Sequence, residues 1–214
     1  TTTSTGNSAE GNADLKGQLK QQAWGEAAEI PLQPANIYDL IYHASLVTAY
    51  SQLVSIEVFD AGLALTLDGD DPDIATLRAA SIAAGHYRTC LAEGKVRVGA
   101  SPEGQLTANI VEGTSAADRT AAQIVLRMLL QFGIDLAEIS AGSFDDLDTK
   151  NDAICYAFVS DDRTAAEEIR AVLRSIGGRL LPNRNDLFEV TRFEAPVASP
   201  TLDFTIEDDV IADG

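Results

Sequence analysis

The densest chemistry in the chain is carboxylate. Asp68, Asp70, Asp71 and Asp73 fall within six residues, interrupted by Gly69 and Pro72. Carboxylates at that density can hold Mg²⁺ or Ca²⁺. A helix-loop-helix calcium site needs Asp or Asn at its fifth position, Gly at its sixth and Glu at its twelfth. Counted from Asp68, those positions hold Pro72, Asp73 and Ala79, so the motif fails. The segment reads instead as a polar turn into a helix, with Asp71 as N-cap, Pro72 at the first helical position and Asp73 favourable to the helix dipole. A second acidic group, Asp145, Asp146, Asp148 and Asp152, reads as solvated.

Nucleophile chemistry has one candidate pair. His86 and Cys90 lie four apart in a stretch, 73–93, that reads as a helix stopped by Gly94, so they would share a face. A Cys–His pair can make a thiolate, but no third residue orients the histidine. His43 stands alone on an apolar segment, as a satisfied core histidine does. No phosphate-binding glycine loop, dinucleotide fingerprint, nucleophile elbow or zinc helix motif occurs, and two histidines with two cysteines do not make a zinc quartet. No catalytic residue and no cofactor is assigned. Asp68, Asp70, Asp71 and Asp73 are the leading metal candidates, with the Asp145–Asp152 group a weaker one.

Charge narrows the partners. The 214 residues carry 15 basic and 33 acidic side chains, net −18. Such a surface repels nucleic-acid phosphate and anionic lipid and favours basic protein partners. At 45% hydrophobic the chain can bury a core. No run of eighteen apolar residues is present. The opening residues lack the regions of a secretory leader, and two separated cysteines, Cys90 and Cys155, suit a reducing compartment. The expected location is the cytoplasm or the inside of a virion or other assembly.

The elements follow from periodicity. Residues 1–35 read as an N-terminal arm, with a short polar helix over 14–29 that carries the sole tryptophan, Trp24, before Pro31 and Pro34. Residues 36–53 read as a strongly apolar helix capped by Asn36, with Tyr38, Tyr42 and Tyr50 along it. Hairpins are expected over 55–68 and 95–112 from their alternation. Two helices begin with the same five residues, Asp-Arg-Thr-Ala-Ala, at 118 and 162, and each meets a Gly fifteen residues on. In the second, Thr164 and Glu167 make a capping box; in the first, Gln123 allows the same box. The first is apolar nearly all round. In the second, Glu167, Glu168, Arg170 and Arg174 point outward.

The expected organisation is an α+β body over 36–140, an acidic linker over 141–152, a β-α-β-β unit over 153–193 beginning on a central strand, and an acidic tail over 194–214. Strands form a mostly antiparallel sheet with helices on one face, and both terminal arms are flexible. The β-α-β-β unit holds six of eleven arginines, whereas nine carboxylates and no basic residue lie between Lys20 and Arg78. The tail has six acids and no base, with Phe204 and Ile206 interleaved. Trp24, Tyr38, Tyr42, Tyr50, Phe204 and Ile206 are the candidate interface residues. The expected function is a non-catalytic protein–protein interaction or assembly subunit. A structural component of a larger complex such as a virion, or an acidic adaptor, fits this class, with self-association or a basic protein surface as partner. The alternatives are a small carboxylate- and Mg²⁺-dependent enzyme and an acidic regulator that mimics nucleic acid.

Overall fold

Trp24 sits on a strand, not on the short helix expected over 14–29. A computed structural model describes residues 19–161 and 164–194. In it β1, Gln22–Pro31, crosses the centre of the protein. Its composition, rich in Ala and Glu, is poor for a strand, but both its ends find partners. The first half pairs with β10, Tyr156–Val159, from Gln22↔Val159 to Gly25↔Tyr156. The second half pairs with β9, Leu106–Glu112, from Glu26↔Val111 to Pro31↔Thr107. Gly25 lies at the handover with φ +71, and a Cβ there would meet the Cys155 carbonyl oxygen at 2.1 Å. Only glycine fits that approach.

The protein is α+β and its sheets are antiparallel but for one strand pair. The first sheet has the order β10-β1-β9-β4-β5, with β4 at Leu53–Asp60 and β5 at Leu63–Ala64. The hairpin expected over 55–68 is present but short. Ala61 and Gly62, both at positive φ, turn the chain, and Asp60 pairs with Leu63. The chain then leaves as β6, Thr66–Asp70, for a second sheet of order β2-β3-β8-β7-β6. There β2 is Gln33–Asn36, β3 Ile41–His43, β7 His86–Cys90 and β8 Lys95–Val98. Only β6 and β7 run parallel. The expected 95–112 hairpin does not form. Its two arms belong to different sheets: β8 pairs with β3 and β7, and β9 with β1 and β4.

Two expected helices are corrected. Residues 36–53 hold a turn, β3 and the start of β4. Asn36 does cap, but it caps a turn: its Oδ1 accepts from the N–H groups of Tyr38 and Asp39 at 3.0 and 3.2 Å. Seven of these eighteen residues are Ile, Tyr, Val or Thr, and such β-branched and aromatic side chains suit a pleated surface better than a helix. Over 73–93 only Ile74–Ala79 is helical, as α1. Its N-cap is Asp73, not Asp71, and Thr76 N–H donates to it at 2.7 Å. Arg97 gives its guanidinium to the carbonyls of Leu77, Arg78 and Ala80 and so closes the other end. Gly94, at φ +61, stops a one-turn 3₁₀ helix at Leu91–Glu93.

The remaining helices are α2, Ala121–Gln131, α3, Ala141–Lys150, and α4, Ala165–Ser175. Thr120 caps α2 and Thr164 caps α4. Helix α4 closes the capping box with Glu167. In α2 the Gln123 amide instead reaches Asp148 on α3, at 2.6 Å. Gly133, at φ +89, ends α2 in a Schellman motif: Ile134 N–H donates to Leu129 O and Gly133 N–H to Leu130 O. The segment expected as an acidic linker is α3, whose Phe144 and Leu147 are fully buried one turn apart while Asp145 and Asp146 stay outside and Asp148 turns to Thr120 and Gln123. The run over 153–160 supplies β10 at the edge of the first sheet, not its centre. The chain closes with the antiparallel hairpin β11, Gly178–Pro182, and β12, Phe188–Arg192.

Side chains of β1 sort into two cores. Ala23 and Ala27 face the second sheet with Ile56, Val58, Tyr87, Val96 and Ile110. Trp24 faces the helices with Ile124, Met128, Phe144, Ile169 and Leu173. Layers of helix, sheet and sheet result. Tyr87 ties the two sheets by donating its hydroxyl to Ile56 O at 2.8 Å. No helix among the described residues is long and apolar enough to cross a membrane.

Candidate docking groove

Each carboxylate of the acidic cluster is committed to holding the fold. Asp71 is buried and takes two bonds from Arg88, at 2.6 and 2.8 Å. Those hydrogen bonds hold its carboxyl below the usual range, against the opposing effect of burial. Asp70 accepts from the Thr89 hydroxyl and from Leu91 N–H, at 2.7 and 2.9 Å. Asp68 meets His86 Nδ1 at 2.7 Å, and Asp73 caps α1. Among the described residues no group of three or more His, Cys, Asp or Glu is arranged around a metal-sized space.

The Cys–His pair is also dissolved. His86 and Cys90 lie on strand β7, where four residues span about 13 Å instead of one helical turn. Cys90 is fully buried and burial raises its pKa. Cys155 is pushed up to about 11 by the same cause. Both thiols are free and both are held protonated. His43 is buried on β3 with Nε2 at 3.1 Å from Gln21 O, which is a structural role.

The interface candidates separate. Trp24 is 1% exposed and belongs to the helix-facing core. Tyr42 is half-buried against the core between the sheets, and burial, then the charge of Asp60, raises its pKa. Tyr38, on the turn before β3, is 69% exposed, and Tyr50 is exposed beside β4. Phe204 and Ile206 lie outside the described residues. The acidic half is partly neutralised by arginines folded over it: Arg119 meets Glu26 at 2.6 Å, Arg78 meets Asp39 at 2.8 Å, and Arg88 meets Asp71.

Sequence reasoning missed a buried ion pair. Glu112, at the end of β9, is 0% exposed. Its Oε2 accepts from Gly25 N–H at 3.0 Å and its Oε1 pairs with Arg127 of α2. Arg127 also donates to Asp118 O at 2.7 Å and lies 5.3 Å from the centre of the Trp24 ring. The signal was present: Glu112 continues the inward alternation of Leu106, Ala108 and Ile110, and Arg127 sits among the buried residues of α2.

A large concavity lies elsewhere, where α2, α4 and the β11–β12 hairpin meet. It holds about 620 Å³, within the range of sites that take small molecules or side chains. Ile169 and Leu173 of α4 and Leu129 of α2 form its floor. Phe132, just past α2, and Phe193, just past β12, stand at its mouth 50% and 73% exposed. Arg170, Arg174 and Arg179 border it, and none of its lining residues is acidic. The Arg179 guanidinium lies 5.1 Å from the Phe193 ring centre. Among the described residues these three arginines meet no carboxylate.

Glu168, expected to point outward on α4, is buried; Arg170 and Arg174 remain on the exposed side. The arginine-rich character of this unit was visible in the sequence, but the groove also needs Phe132 and Ile134 from the end of α2, thirty residues earlier. Comparison with family models, with curated proteins and with solved structures returns no match. Function must therefore be read from this chain's own residues.

Proposed function

We propose that this chain is a non-catalytic interaction or assembly subunit, and that the groove between α2, α4 and β11 receives an acidic, apolar segment of protein. One observation carries the reading. In a chain with more than twice as many acidic as basic side chains, Arg170, Arg174 and Arg179 border one apolar groove without a carboxylate partner among the described residues. Exposed aromatic side chains at its mouth offer area to a partner, and the arginines offer charge-assisted hydrogen bonds to Asp or Glu. An apolar floor with a cationic rim matches a segment that alternates apolar and acidic residues. Carboxylate chemistry at residues 68–73 is disfavoured, because those side chains already hold Arg88, Thr89, His86 and the start of α1 in place.

Among the described residues the members of both hydrophobic cores lie within residues 23–190, so a chain ending at Glu194 is expected to keep the fold. Fluorescence anisotropy with a labelled synthetic peptide alternating Leu or Phe with Glu tests the proposal on that chain. Saturable binding is expected, weaker at high salt and lost in an Arg170→Glu/Arg174→Glu variant. Absence of binding at low salt, or binding indifferent to the charge reversal, overturns it.

A further inference from the structure

We infer that the groove is filled by the chain's own C-terminal segment, residues 202–211, making it a self-occupied docking site that a partner must compete for. The inference rests on the docking reading above and adds the occupant. Three observations meet here. First, the described chain passes the groove as it ends: Phe193 lines the mouth, and the next residue, Glu194, is held by Lys150 of α3 at 3.0 Å. Second, the residues beyond have the pattern the groove asks for. Leu202, Phe204 and Ile206 alternate with Asp203, Thr205 and Glu207, followed by Asp208 and Asp209. At the two-residue period of an extended strand this places three large apolar side chains on one face and polar ones on the other. Third, charge is complementary: residues 195–214 carry five acids and no base, and the groove carries arginine and no acid.

Reach is sufficient. Phe204 is the tenth residue after Glu194, and ten extended residues can span about 33 Å, enough to leave the mouth and fold back. Strand β11 adds a surface for an extended segment, since β12 is its only neighbour in the two-stranded sheet among the described residues. To such a segment the groove offers Phe132, Ile169 and Leu181 for the apolar residues and Arg170, Arg174 and Arg179 for the acids. Tethering supplies the occupancy: covalent connection to the groove gives an effective concentration of about 1 mM, so even weak docking keeps the site filled.

The same alternating Leu/Phe–Glu probe decides the matter when added to the full chain and to the chain ending at Glu194. A tail binding with a dissociation constant of about 100 µM at about 1 mM effective concentration weakens the probe about tenfold in the full chain. Phe204→Asp together with Ile206→Asp, which leaves the body unchanged, restores the affinity of the shortened chain. Equal affinity for full and shortened chains overturns the self-occupied site while leaving the docking function intact. Failure of the probe to bind either chain overturns both. Weaker binding that comes with a mass above the monomer in light scattering, lost on shortening, places the segment on a second copy and overturns the intrachain assignment.

Discussion

The ion pair between Glu112 and Arg127 makes a sharp prediction about stability. Glu112 is wholly enclosed, and its two carboxylate oxygens have two donors, the Arg127 guanidinium and Gly25 N–H. Replacing Arg127 by Met keeps the stem that covers Trp24 but leaves a buried carboxylate with one neutral donor. Breaking a buried pair from one side costs about 3–5 kcal/mol, a large part of the roughly 5–15 kcal/mol that holds a domain together. Glu112→Gln is milder. The amide oxygen still accepts one bond, and Arg127 keeps its contact to Asp118 O and some water, so a loss of about 1–2 kcal/mol is expected.

The decisive measurement is the double variant. With no charge left to strand, Arg127→Met/Glu112→Gln should be more stable than Arg127→Met alone by about 1–2 kcal/mol, a coupling of the size neighbouring residues show. Urea unfolding followed by the fluorescence of Trp24, which Arg127 overlies at 5.3 Å, reads all four proteins. Costs that simply add, or an Arg127→Met loss below about 1 kcal/mol, would refute the reasoning.

Two further outcomes follow from the acids and thiols. Asp71 has a folded pKa below its unfolded value, so its contribution is present above the unfolded pKa, about 3.9, and is lost as pH falls through the lower folded one. Asp71→Asn should therefore be less stable than the parent at neutral pH, and the gap should close in acid titrations below about pH 4; a gap that is constant with pH would count against the Arg88 pairing. Cys155, with its pKa pushed up to about 11, and the enclosed Cys90 should both resist a thiol reagent at pH 8 in the folded protein and react together on unfolding. Fast labelling of either in the native state would show that its burial is wrong.

How far the sequence reached depends on how local the deciding interaction was. Helices α2 and α4 were legible because their caps, apolar stripes and glycine stops lie within sixteen residues. The alternation of Ile56 with Val58, and of Leu106 through Ile110, identified strands but not partners, since β8 and β9 alternate alike and pair in different sheets. Helix α3 was hidden because two buried side chains, Phe144 and Leu147, anchor it among surface acids. Residues 36–53 carry an i, i+3, i+4 apolar pattern that also suits a turn followed by strands, and pairing of β3 with β2 and β8 decided between them. Of the groove, the arginines could be read from the second repeat onward. Its aromatic mouth could not, because Phe132 and Phe193 are sixty residues apart and meet only through the packing of α2 on α4.

The way β1 changes partner has a consequence for how the chain is made. Residues 22–31 leave the ribosome before their hydrogen-bonding partners, residues 107–111 and 156–159. The core between the sheets cannot close before β9 is available, and Trp24 meets Ala157 only once β10 has been synthesised. At elongation rates of about 5–20 residues per second, β1 waits several seconds with both edges bare. Long-range pairing of this kind also slows folding from the unfolded state, toward the millisecond-to-second range of non-local β topologies. Gly25, where the strand passes from one partner to the other, is thus the joint at which distant segments of the chain are stitched together in time as well as in space.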